Sequence, residues 1–103
     1  MEPRRAYNLY LPTRLHAELT RLTDAGLPAS AVARLAVRKW SGGDLPAGDD
    51  AACPIRINVY LSSPDAERLE LLAIGGGLSR AETLRRLITL YIDSNRDAIS
   101  ALF

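Results

Sequence analysis

"YNLYL" occupies residues 7–11 and "INVYL" residues 57–61. The second phrase repeats the first at a distance of 50 residues, with Asn8/Asn58, Tyr10/Tyr60 and Leu11/Leu61 identical. In the first, Tyr7, Leu9 and Leu11 alternate with Ala6, Asn8 and Tyr10; in the second, Ile57, Val59 and Leu61 alternate with Arg56, Asn58 and Tyr60. A period of two describes a strand with one buried face and one open face.

The repetition extends well beyond these phrases. Residues 6–40 match residues 56–91 at an offset of 50 up to Gly26 and of 51 from there on, through one extra glycine in the run Gly75 to Gly77. Leu27 then matches Leu78, Arg34 matches Arg85 and Trp40 matches Tyr91. After each strand the pattern predicts a helix. Pro12 opens the first; Ser63 as N-cap ahead of Pro64 opens its counterpart, with Asp65 and Glu67 suited to the helix dipole. Leu15, Leu19 and Leu22 form one apolar stripe, and Ala66, Leu69, Leu72 and Ala73 the other. Gly26 and Gly75 to Gly77 are expected to end these helices. A further helix follows in each half. "SRAE", Ser79 to Glu82, reads as a capping box in which Ser79 serves a backbone N–H and Glu82 reaches back. Ala81, Leu84, Leu87, Ile88, Tyr91 and Ile92, with Val32, Leu35, Ala36, Val37 and Trp40 in the first half, should form the centre of the core.

One strand and two helices leave the strand's N–H and C=O groups unpaired. A second copy removes the difficulty, because two such strands can pair antiparallel over four helices. The expected fold class is therefore α+β, mostly helical, with the order β-α-α-linker-β-α-α and an intramolecular two-stranded ribbon on a four-helix core. Residues 1–103 form one pseudo-dimeric domain: a first unit at 6–40, a Gly-, Pro- and Asp-rich flexible linker at 41–54, a second unit at 55–92 and a tail at 93–103.

Composition sets further bounds. The 103 residues are 48% hydrophobic and 24% charged, ordinary values for a globular domain. No apolar run approaches the roughly 18 residues of a membrane span, and "MEPRRAYNLY" lacks a signal-peptide core, so no membrane partner and a cytoplasmic location are expected. Net charge is only +1, yet 12 of the 13 basic residues are Arg, and Asp44, Asp49 and Asp50 gather in the linker, away from any basic face. His16 stands alone, Cys53 is the single cysteine, and no poised nucleophile or carboxylate pair is present. Neither a metal, nor another cofactor, nor an enzymatic activity is expected.

The segments "YNLYLPTRL" and "GLPASAVARLA" of the first half, and "RINVYLSSPDAERL" and "GLSRAETLRRLI" of the second, resemble the ribbon-helix-helix DNA-binding proteins of the Arc, MetJ and CopG type. The duplication is similar to single-chain tandem forms of the TraY type. The resemblance implies double-stranded DNA as partner, with the ribbon in the major groove and Ala6, Asn8, Tyr10, Arg56, Asn58 and Tyr60 reading bases. It also implies that the starts of the second helices bind phosphate: Leu78, Ser79 and Arg80 in one unit, Pro28 and Ala29 in the other. Arg4 and Arg5 precede the first strand and either reach the DNA backbone or form a solvated N-terminal tail. The implied role is a transcriptional repressor, with two alternatives: a plasmid conjugation or partition accessory factor, and an antitoxin-type interaction module. Copies can associate side by side on DNA. The tail, with Ile99, Leu102 and Phe103, either packs on the bundle or docks a protein partner.

Overall fold

The computed structural model describes residues 4–40, 45 and 52–101, with the backbone alone at Arg4 and Ile99. The chain runs β1 (Arg4–Leu11), α1 (Thr13–Asp24), α2 (Ala29–Lys39), β2 (Ile55–Ser62), α3 (Ser63–Gly76), α4 (Arg80–Ser94) and α5 (Arg96–Ser100). It is mostly helical, with one two-stranded sheet in which β1 pairs antiparallel with β2. Strand β1 starts earlier than the alternation alone suggests: Arg4 and Arg5 belong to it, opposite Ser62 and Leu61. They are ladder residues rather than a solvated tail.

The helix-side face of the ribbon is the roof of the core. Leu9, Leu11, Val59 and Leu61 are fully buried, joined below by Leu15, Leu19, Leu22, Val32, Val37, Leu69, Leu84, Leu87 and Ile88. Helices α2 and α4 pack most extensively on each other. Each also lies against the strand of the opposite half, α2 on β2 and α4 on β1, so the halves interlock. Leu45, within the linker, packs against the same core; linker residues 41–44 and 46–51, including Asp44, Asp49 and Asp50, lie outside the described residues.

Local chemistry explains the boundaries and corrects several expectations. Ser62, not Ser63, is the N-cap of α3, and its Oγ donates to Asp65 Oδ2 at 2.9 Å. Asp65 does sit in the first turn, but it is buried and engages Arg38 of α2. Gly75 and Gly76 continue α3. The break falls at Gly77, whose φ of +66° lies in the left-handed region that favours glycine, as does the +101° of Gly26 in the first half. Both turns close alike: Gly26 N–H donates to Thr23 O and Leu27 N–H to Leu22 O, then Gly77 N–H to Ile74 O and Leu78 N–H to Ala73 O. The end of α2 is held by Arg68 of α3, which donates to the carbonyls of Val37 and Trp40. The tail does not simply prolong α4. It breaks at Asn95 into the short α5, where Arg96 approaches Glu18 of α1 at 3.5 Å. The side chain of Ile99 and residues Leu102 and Phe103 lie outside the described residues.

Candidate nucleic-acid interface

The ribbon's other face carries Ala6, Asn8 and Tyr10 on β1 and Arg56, Asn58 and Tyr60 on β2, all exposed. The two tyrosines are large side chains left 57% and 47% accessible, which no packing requirement explains. The ladder sets Asn8 opposite Asn58, Ala6 opposite Tyr60 and Tyr10 opposite Arg56. Tyr60's backbone N–H points away from β1, donating to Ser30 Oγ at 3.0 Å. Pair types alternate along an antiparallel ladder, so Ala6–Tyr60 and Asn8–Asn58 are of the non-hydrogen-bonded type, with Cα atoms about 4.5 Å apart and side chains close together. The two carboxamides thus stand side by side in the middle of the face, each offering a donor and an acceptor.

The helix starts differ. At α4, Ser79 is the N-cap and its Oγ accepts from Glu82 N–H at 3.1 Å. The reciprocal half of the expected capping box is not made. Glu82 instead receives Arg85 at 2.6 Å and Arg86 at 2.9 Å. Burial pushes the Glu82 carboxyl up, but the hydrogen bonds and charges of these two arginines prevail and hold it below the usual range. At α2, Pro28 is the N-cap with no side-chain cap, and Ala29 is the first helical residue.

Arg80 opens α4 and lies 3.4 Å from Glu70 of α3. The same Glu70 oxygen accepts from Arg5 at 2.7 Å. Two expected phosphate ligands are therefore gathered on one carboxylate, a link that nothing in the local sequence signals. Leu78 is half-buried beside them, at the edge of an open depression of about 400 Å³ that Glu70, Ala73, Ile74, Ser79 and Arg80 also line. Among the described residues, no group of three or more His, Cys, Asp or Glu is placed to hold a metal ion, and no helix is long and apolar enough to cross a membrane.

Residues 55–94, which span β2, α3 and α4, match the family described as ribbon-helix-helix protein, copG family. Over these residues the chain is similar to a ribbon-helix-helix unit. Members of this family are generally DNA-binding transcription regulators that usually work as dimers. In the matched segment the outward residues of β2 are Arg56, Asn58 and Tyr60, and the helix start is Ser79–Arg80. The first half lies outside the matched residues. No curated protein and no solved structure matches the chain.

Proposed function

We propose that residues 6–40 are a diverged second copy of the ribbon-helix-helix unit. The chain is then a single-polypeptide pseudo-dimer that binds duplex DNA sequence-specifically, with its ribbon in the major groove. It acts in the cytoplasm as a transcriptional repressor.

The ribbon register carries this reading. Paired residue numbers sum to 66, as in Asn8 with Asn58, while equivalent residues of the two halves differ by 50. Only Asn8 and Asn58 satisfy both relations, so a two-fold axis relating the halves passes between them. That is the symmetry of two like units sharing one ribbon. The exchanged packing, α2 on β2 and α4 on β1, obeys the same axis. A two-stranded ribbon fits the roughly 12 Å major groove, where Asn can pair bidentately with adenine and Arg with guanine. Repression follows from occupancy, because a ribbon seated in an operator excludes other proteins from that groove.

Selection from a random duplex library, followed by footprinting and transcription of a template carrying the selected site, tests the reading. The expected result is an enriched site, protected in its major groove, on which the protein lowers transcription. Equal affinity for all duplexes would overturn sequence-specific recognition.

A further inference from the structure

We infer that the ribbon is an oriented reader, fitted to a non-palindromic duplex in which a guanine contacted by Arg56 lies on one side of the centre only. This rests on the proposed major-groove binding and adds what the site must contain.

The two-fold between Asn8 and Asn58 exchanges Tyr10 with Tyr60 and Ala6 with Arg56. The centre and the tyrosines therefore obey the symmetry, and the remaining pair breaks it. One end of the face presents Tyr10 opposite Arg56, and the other presents Tyr60 opposite Ala6. A guanidinium can take guanine O6 and N7 together. A methyl group can only touch a thymine methyl, which discriminates far less. The guanidinium is also available. Arg56 is exposed and has no hydrogen-bond or ion-pair partner among the described residues, whereas Arg5, Arg38, Arg80, Arg85 and Arg96 are each held by a carboxylate. Two residues of strand advance about 7 Å, or roughly two base pairs. The guanine is therefore placed about two base pairs from the centre, with no counterpart at the mirror position.

The test is the consensus selected from random duplexes by the whole chain and by two variants at exposed positions, Arg56→Ala and Ala6→Arg. The wild type is expected to give a non-palindromic consensus with one off-centre guanine. Arg56→Ala should lose that guanine, with affinity for the wild-type site falling roughly 5- to 150-fold. Ala6→Arg should gain a guanine at the mirror position and turn the consensus into a palindrome. A palindromic wild-type consensus overturns this inference and leaves DNA recognition standing. So does an oriented consensus that neither variant changes. Failure to enrich any duplex overturns the underlying reading, and this one with it.

Discussion

Arg38 at the end of α2 and Asp65 in the first turn of α3 are joined by two parallel bonds, Nε to Oδ1 and Nη2 to Oδ2, each 2.9 Å. The bridge links the two halves of the chain, and it exists on one side only. By the internal repeat, the position of Asp65 is occupied in the first half by Leu15 and that of Arg38 in the second half by Thr89. The carboxylate thus stands where the other half places a core leucine. It is tolerated because Arg38 and Ser62 satisfy it, and because Arg38 keeps more than half its side chain in water.

That arrangement predicts a pH-dependent stability. Hydrogen bonds from Arg38 hold the Asp65 carboxyl below its usual range, burial opposes them, and Ser62 adds to the lowering. Because folding lowers this pKa, the unfolded chain takes up the proton first, and acid favours unfolding. Asp65→Asn should cost about 1–3 kcal/mol at pH 7, and its deficit against the wild type should shrink as pH falls below about 4. Asp65→Leu, which copies the first half, should cost less than Asp65→Asn, since Arg38 is free to turn to solvent. Melting curves from pH 3 to 7 measure all three. A deficit that stays constant across this range would show that the carboxylate's charge is not what Asp65 contributes.

A second prediction concerns the state of assembly. Both strands of the ribbon lie in one chain, so the proposed pseudo-dimer should fold without a partner. The melting temperature should be the same across a hundredfold range of protein concentration. A temperature that climbs with concentration would instead indicate strands exchanged between two chains.

At the centre of the ribbon, Asn58→Ala should weaken binding to the selected site by about 1–3 kcal/mol and to random DNA much less. Asn8→Ala should behave alike, because the two residues face each other across the two-fold. Competition titrations with the two kinds of duplex measure the difference. Equal losses on both would assign the asparagines to general affinity rather than reading.

Glu70 offers a test of the flanks. It neutralises Arg5 and Arg80 through ion pairs whose arginines are 49% and 60% exposed, a kind of pair that contributes little stability and yields readily to a phosphate. Glu70→Gln should leave the fold intact and tighten binding to every duplex. The arginines reach phosphate with or without Glu70, so affinity should rise with the salt slope nearly unchanged. Unchanged binding would place both arginines outside the contact.

These relationships were unequally legible in the sequence. The strands and their inward faces follow from alternation, and their pairing from the need of Tyr7–Leu11 and Ile57–Leu61 for hydrogen-bond partners, so period and repeat suffice for them. The Arg38–Asp65 bridge joins residues 27 apart, and Asp65 alone reads as an ordinary first-turn acid. Its one sequence signal is its alignment with Leu15, an acid at a core position. Arg5 reads as a loose N-terminal arginine because its partner Glu70 is 65 residues away. Ser30, which takes the outer N–H of Tyr60, is invisible locally because the strand and the helix it joins come from different halves. Contacts that cross the two-fold leave no periodic trace, and at the candidate site Arg5–Glu70 and Tyr60–Ser30 are such contacts.

The helix starts carry the last prediction. Ser79 and Arg80 give α4 a hydroxyl cap and a cation, whereas Pro28 and Ala29 give α2 neither, and Pro28 brings no N–H to that end. If helix starts hold phosphate, they hold it unequally. Arg80→Ala should weaken binding to all sequences alike and lower the salt slope by about 1, with the consensus unchanged. Ala29→Arg should do the reverse at the other flank, strengthening all binding and raising the slope by about 1. Anisotropy titrations between 50 and 200 mM salt, on the selected site and on a scrambled duplex, read both effects. Loss confined to the selected site in Arg80→Ala would make that residue a reader of bases. No gain from Ala29→Arg would mean that the start of α2 lies too far from the backbone to touch it.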